Sequence, residues 1–316
     1  MRSSLGKDVL FCHDGSADDF MALTLLAVIP DINLIGVVVT DGDCHIQAAA
    51  EVSRKILGLT GLAHVPVALS DARPLHAFPA EWRLDSLRIN SMPIINHPGL
   101  PLAPISEKSG RVFVADVIRN NSRPVTVIDV GPATNLAQTL RSFPDVAEHI
   151  QQVIWMGGAL KVAGNVYPHH QPLHNGTAEW NVYWDPEAAM TVLESGLRIT
   201  LCPLDLTDQV PVNPGFMTFL TRHRHFAMAD FAGQCYALNA YRTYSVWDVL
   251  TASYFLWPDI FETRHTQISV VRQGMEQGRT IEDKGGHSVH VLTEVDHAQF
   301  WSRLGQAFLV HGGQYE

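Results

Sequence analysis

The stretch Val9-Leu10-Phe11-Cys12-His13-Asp14-Gly15-Ser16-Ala17-Asp18-Asp19-Phe20 decides the fold. Its first four residues form a short apolar run, which reads as a parallel strand buried on both faces. Gly15 and Ser16 are turn residues, and from Phe20 onward the chain is apolar enough for a buried helix that starts at Asp18 and Asp19. Strand, tight turn and helix in that order open a β-α unit. In open α/β sheets, ligands bind beyond the carboxyl ends of the strands. Asp14, Asp18 and Asp19 therefore gather at a binding edge, where they repel one another unless protons or a cation intervene. A hard divalent ion with oxygen ligands resolves that repulsion, and several carboxylates in flexible geometry favour Ca²⁺. Helix capping is the plainer use of Asp18 and Asp19, but it leaves Asp14, which precedes the turn, without a reason.

The same alternation continues along the chain. Strand-like runs cover 33–39, 65–69, 125–129, 152–156 and 197–202. Helical patterns cover 45–59, 111–120, 133–141, a segment beginning near Pro186 and most of 213–257. The second strand ends in Thr40-Asp41-Gly42-Asp43, again acidic at its carboxyl end. Two further strand-like runs, 265–271 and 288–295, precede a closing helix over 296–309. The pattern predicts one domain over residues 1–316: an open, mostly parallel, Rossmann-like α/β sheet flanked by helices, with a small C-terminal β extension. Two stretches lack periodicity. Residues 70–108 are proline-rich and carry Trp82, and residues 159–177 carry Asn165, His169, His170 and His174. Loops of that length in a compact domain usually serve a function or cover something, although a solvated surface loop is the plainer reading of the histidines.

With 316 residues, 46% of them hydrophobic and 17% charged, the chain can bury a large core and is not disordered. A net charge of −10 argues against a nucleic-acid surface. No apolar run is long enough to span a bilayer and the N-terminus does not read as a signal peptide, so a cytoplasmic location is expected. Cys12, Cys44, Cys202 and Cys235 have neither disulfide-framework nor zinc-knuckle spacing. Dinucleotide, P-loop, nucleophile-elbow and H-E-x-x-H signatures are absent. An aspartyl phosphatase wants a second Asp two residues after Asp14, and that position is Ser16.

The stretch 12–19 resembles the aspartate signature of the nucleoside hydrolases, and is most similar to the branch acting on inosine, adenosine and guanosine. Thr40-Asp41-Gly42-Asp43-Cys44, Phe78-Pro79-Ala80-Glu81-Trp82-Arg83, Met156-Gly157-Gly158-Ala159, Gly164-Asn165-Val166, Thr177-Ala178-Glu179-Trp180-Asn181 and Trp247-Asp248 match in order over nearly the whole chain. The resemblance implies an open α/β sheet holding one Ca²⁺ through Asp14, Asp19, Asp248 and the carbonyl of Val130. It makes Asp14 the general base that activates water. It gives the ribose to Asp18, Asn165, Glu179 and Asn181, and the base to Ser16, Asp43, Trp82 and Trp247. A nucleoside substrate and a homodimer follow from the same resemblance. Stacking between Trp82 and Trp247 would activate the leaving base and favour purines, with His169, His170 and His174 secondary. Two positions depart from the pattern: Cys12 stands where an aspartate is usual and Ser16 where the purine branch has asparagine. The alternatives are a pyrimidine or broad-specificity hydrolase, or a non-catalytic nucleoside- or ribose-binding protein on the same scaffold.

Overall fold

In the computed structural model, which describes residues 7–73, 75–241 and 243–311, the opening stretch forms strand β1 (Lys7–His13). Val9 and Phe11 pack on one face of the sheet, Leu10 and Cys12 on the other, and all four are buried. This two-sided burial is why the run is continuously apolar rather than alternating. Seven strands follow the same logic or extend the sheet: β2 (Ile32–Val39), β3 (Val67–Leu69), β4 (Val125–Asp129), β5 (Ile150–Met156), β6 (Ile199–Cys202), β7 (Phe261–Val270) and β8 (Thr280–Glu282). With β9 (His287–Val295) they make one sheet in the order β3-β2-β1-β4-β5-β6-β9-β7-β8. Pairing is parallel from β3 through β9, and β7 runs antiparallel to both β9 and β8. The C-terminal β extension therefore continues the main sheet.

The helices are α1 (Ala17–Val28), α2 (Ile46–Leu59), α3 (Asp85–Asn90), α4 (Gly110–Arg119), α5 (Thr134–Ser142), α6 (Trp180–Trp184), α7 (Pro186–Glu194), α8 (Leu204–Thr207), α9 (Pro214–Arg222), α10 (Ala227–Ala237), α11 (Trp247–Leu256) and α12 (His297–Ala307). Helices α1, α2, α10, α11 and α12 bury their apolar residues on the Val9/Phe11 face, and α4, α5 and α7 on the Leu10/Cys12 face. Each face thus has its own core, the layered solution to a sheet that is apolar on both sides. Among the described residues no helix is long and apolar enough to cross a membrane.

The strand order reverses at β1. The chain adds β2 and β3 on one side of it, then returns to lay β4, β5 and β6 on the other. The crevice at such a reversal, outside the carboxyl ends of the strands, is where open α/β sheets bind ligands. Asp14 follows β1 directly and Val130 follows β4 directly, so the two residues face each other across that crevice.

Several elements differ from the sequence reading. Residues 180–184 are helical, because Glu179 caps them before Pro186 begins the next helix. The stretch 70–108 contains α3 and two short 3₁₀ turns. β8 is a three-residue strand, too short to show any period. One close contact fixes the second half of the long loop. A Cβ added at Gly58 of α2 would lie 1.8 Å from the carbonyl oxygen of Pro101. Gly58→Ala is expected to destabilise the protein by about 1–3 kcal/mol, the usual cost of overpacking, where alanine in an open helix would gain about 1 kcal/mol. Urea unfolding measures it, and a variant at least as stable as the parent would show that the loop does not rest on α2 there.

Candidate active site

A cavity of about 290 Å³ opens at the β1/β4 crevice. Its lining includes Asp14, Ser16, Asp19, Asp43, Trp82, Val130, Asn165, Glu179, Asn181, Trp247 and Asp248. Eleven of the twelve residues singled out in the sequence are thus brought together; Asp18 is not among those that line it. The lining also holds Phe78, Asp85, Met156, Tyr167, Trp180, Thr243 and Tyr244, to which the sequence reading gave no role. Asp85 lies in the loop 70–108 and Tyr167 in the loop 159–177, where the available signal was that both loops are long, while Phe78 opens the stretch 78–83 that carries the resemblance.

The carboxylates are held by backbone N–H groups at the starts of helices. At α1, Asp19 Oδ2 accepts from Ser16 N at 2.8 Å and Ser16 Oγ at 2.6 Å, while Oδ1 accepts from Asp14 N at 3.0 Å. At α6, Glu179 Oε1 accepts from Asn181 N at 2.8 Å, and Oε2 from Gly158 N at 3.0 Å and Val182 N at 3.3 Å. Asp18, fully buried, takes the N–H groups of Asp248 and Val249 at α11 and the hydroxyl of Tyr236. These bonds satisfy donors that a helix start leaves open, and the helix dipole favours negative charge at the same place. Asp14 Oδ2 accepts from Asp43 N at 2.7 Å. A Cβ at Gly42 would fall 2.1 Å from that same oxygen, so the acidic turn 41–43 can close on Asp14 only with glycine there.

Burial pushes Asp14 well above the usual carboxylate range, and the charges of Asp19 and Asp43 add to it. Asp248 is raised in the same way by burial, then by Asp19, Asp18 and Asp14. Burial raises Asp18 and Glu179 to about 7 against the pull of their N–H partners. None of the described lining residues is Lys, Arg or His.

The polar side chains between floor and mouth are oriented by their own bonds. Asn181 Nδ2 donates to the carbonyls of Val130 at 3.0 Å and Met156 at 3.2 Å. Asn165 Oδ1 accepts from Trp180 N at 3.0 Å, which leaves its Nδ2 as the end a ligand can use. Trp247, the first residue of α11, packs edge-on to Tyr244 at 4.8 Å. Trp82 sits edge-on to Trp180 at 5.6 Å and to His170 at 5.2 Å. Arg83 ties the Trp82 turn to the acidic turn, donating to the carbonyl of Gly42 at 2.9 Å and to Asp41 Oδ1 at 2.6 Å. Both tryptophans are half-buried cavity walls rather than core.

Of the histidines of the loop 159–177, His169 is exposed, as the solvated-loop reading expects, His170 is partly buried and His174 is buried. His174 is buried; its Nδ1 accepts from Gly176 N at 3.0 Å and its Nε2 lies 2.9 Å from the carbonyl of Gln277, a pair of bonds that fits the neutral ring. His170 lies 3.6 Å from Glu81, and burial followed by His169 lowers its pKa. His169 stacks on Tyr167 at 5.5 Å. None of the three lines the cavity. Cys12 packs among the Leu10-face residues beside Asp129, its in-register partner on β4.

Oxygen donors and an excess of buried negative charge suit a hard divalent cation. Asp14, Asp19, Asp248 and the Val130 carbonyl fit it in kind, each lining the same cavity. Among the described residues, no three His, Cys, Asp or Glu side chains are drawn in to metal-ligand geometry.

Carboxylates on the floor, amides between and flat aromatic walls above suit a polyhydroxylated ring joined to a planar base. Comparison with known proteins agrees. Residues 9–302 match the inosine-uridine preferring nucleoside hydrolases, and the chain belongs to that family. It is therefore an N-ribohydrolase, which decides against the non-catalytic binding protein. It is 34% identical to the inosine-uridine preferring nucleoside hydrolase from Bacillus anthracis, whose crystal structure superposes with a TM-score of 0.92 over 96% of this chain and 99% of that one. It is 27% identical over 283 residues to the non-specific ribonucleoside hydrolase RihC of Salmonella agona, covering 88% of each. With an uncharacterised protein of Schizosaccharomyces pombe it shares 30% identity over 205 residues, 64% of this chain and 62% of that protein.

The raised carboxyls make a prediction about pH. A carboxyl whose folded value lies above its unfolded one, here 3.8 or 4.5 against about 7 for Asp18 and Glu179, stabilises the fold while protonated and loses that contribution as pH rises. Without divalent ions, Tm should therefore fall as pH is raised from about 5 to about 8. Added Ca²⁺ should raise Tm more at the higher pH, because protons compete with it for the oxygens of Asp14 and Asp248, whose carboxyls burial also raises. Scanning fluorimetry with Ca²⁺ or EDTA at both pH values measures it; an equal or larger Ca²⁺ effect at the lower pH would contradict the site.

Proposed function

We propose that the chain is a Ca²⁺-dependent ribonucleoside hydrolase with a preference for purine bases. The observation that carries this reading is the cavity itself, with Asp14, Asp19 and Asp248 at its floor and Trp82 and Trp247 on its walls. Those three carboxylates and the carbonyl of Val130 would hold the ion. When bound, it supplies the positive charge that offsets them and polarises oxygens brought against it. Asp14 takes the proton from the attacking water. Asn165, Asn181 and Glu179 orient the ribose hydroxyls, and the surrounding carboxylates stabilise positive charge as the sugar becomes oxocarbenium-like. Ser16 and Asp43 meet the edge of the base.

Trp82 and Trp247 stack on the faces of the base. Stacking spreads charge from the departing base and contributes in proportion to aromatic area, which favours a purine over a pyrimidine. Broad specificity is the second reading, favoured by the relatives named above as inosine-uridine preferring and non-specific. A panel of inosine, adenosine, guanosine, uridine and cytidine separates the two: comparable kcat/KM across the panel would remove the purine preference.

Asp14→Asn keeps the shape and removes the basicity, and should lower kcat by at least about 100-fold, the scale of a lost general base. Near-parental turnover would place water activation elsewhere. Trp247→Ala should lower kcat on inosine by about 10-fold or more and have much less effect on p-nitrophenyl riboside, whose leaving group needs no help. Equal losses on the two substrates would reduce Trp247 to a shape-filling wall.

A further inference from the structure

Trp82 forms one wall of the cavity, and its two chain neighbours reach out on either side of it. Arg83 donates to the acidic turn, at the carbonyl of Gly42 and at Asp41. Glu81 reaches the other long loop, where its Oε1 lies 3.6 Å from Nδ1 of His170. The indole of Trp82 is supported from two directions as well. Phe78 at 6.2 Å and Trp180 at 5.6 Å belong to a buried aromatic cluster. His170, edge-on at 5.2 Å, is the support that comes from the 159–177 loop. It touches Trp82 without lining the cavity, so it backs the indole from outside the space that a base would fill. The turn that carries His170 is itself fixed. The N–H groups of His170 and Gln171 both donate to the carbonyl of Tyr167 at 3.0 Å, and Gln171 Oε1 accepts from the hydroxyl of Tyr183 at 3.3 Å. The two long loops therefore meet where Trp82 packs on His170.

Two attractions act at that contact, and their sizes differ. Glu81 is 64% exposed, and an exposed ion pair contributes little. Burial and the neighbouring His169 lower the pKa of His170, which keeps the ring uncharged near neutral pH and weakens the pair further. Packing of ring on ring is the larger contribution. We propose that His170 is a positioning residue for Trp82: a ring from one loop that backs a wall carried by the other and holds its face toward the base. The proposal rests on the hydrolase reading above and gives a role in it to a histidine that lies outside the cavity. Stacking helps a departing base only while the indole keeps its face on that base. Freeing Trp82 is therefore felt where the leaving group is poor and little where it is good.

The test compares His170→Ala, His170→Phe and His170→Gln on inosine and on p-nitrophenyl riboside. His170→Ala should lower kcat on inosine by about 3- to 10-fold, the scale of one aromatic contact, and change kcat on p-nitrophenyl riboside by less than about 2-fold. His170→Phe keeps a ring edge against Trp82 but can neither give nor take a proton, and it should stay within about 2-fold of the parent on both substrates. His170→Gln keeps a polar end without a ring and should behave as His170→Ala does. Glu81→Gln should cost less than about 2-fold, since the exposed pair is the weaker attraction. A second readout needs no substrate. In protein labelled with fluorotryptophan, the fluorine resonance of Trp82 is identified by its loss in Trp82→Phe. Its relaxation should report a more mobile ring in His170→Ala and His170→Gln and a parental ring in His170→Phe.

Parental kcat on inosine in His170→Ala, an equal loss on the two substrates, or a Trp82 ring no more mobile than in the parent would overturn the proposal. So would a His170→Phe protein as impaired on inosine as His170→Ala, because a proton on the imidazole, and not its packing, would then be what counts. Should His170→Ala not fold, His170→Gln decides by the same measures. A protein that hydrolyses no nucleoside would sink the hydrolase reading, while the mobility of the Trp82 ring would still decide whether His170 holds it.

Discussion

Burying several carboxylates in one cavity is the constraint on which the rest of the structure depends. Isolated, each would cost several kcal/mol to remove from water. The fold offsets that cost with backbone N–H groups from three helix starts: α1 for Asp19, α6 for Glu179 and α11 for Asp18. Each helix begins at the carboxyl edge of the sheet, so its dipole and its unpaired donors face inward. The charges need the helix starts, and the helix starts need acceptors. Neither half would be stable in this place without the other. What remains uncompensated, on Asp14 and Asp248 above all, is the excess negative charge that a divalent ion would meet.

Most of the scaffold was legible because a buried parallel strand writes itself as an unbroken apolar run. β1, β2, β4, β5 and β6 are of that kind, and the helices between them follow from their apolar periodicity. The parts that were not legible lack such a signal. α6 depends on the cap from Glu179, which looks in the sequence like any acidic residue in a loop. β8 exists because β7 offers it an edge. The reversal of strand order at β1 is a property of the whole chain's path, and it alone explains why the residues after β1 and after β4 meet.

The site was legible as a set of residues but not as a set of bonds. Two readings of the acidic turn, helix capping and cation binding, stood as alternatives in the sequence. The structure uses two of the three for capping: Asp19 closes the start of α1 and also lines the cavity, and Asp18 accepts from N–H groups of α11, whereas Asp14 accepts from the turn N–H of Asp43. Successive helical residues lie about 100° apart around the axis, so Asp18 and Asp19 leave α1 in different directions. The burial of His174 was missed for a related reason. His174 is bound to a carbonyl more than a hundred residues away, a contact no local pattern announces.

Cys12 is explained by the strand beside it. Its in-register partner on β4 is Asp129, and the side chains of Cys12 and Asp129 emerge on the same face of the sheet. Neighbouring strands run about 4.8 Å apart, so an aspartate at position 12 would set two buried carboxyls side by side with no cation between them. Burial and the proximity of Asp129 push the Cys12 thiol well above its usual range and keep it neutral. Asp129 accepts from the N–H of Gly131 at 3.3 Å, bracing the turn that presents the Val130 carbonyl. A carboxyl therefore still lies beneath the crevice, carried by β4 in place of β1, and a small neutral side chain at position 12 is what makes room for it.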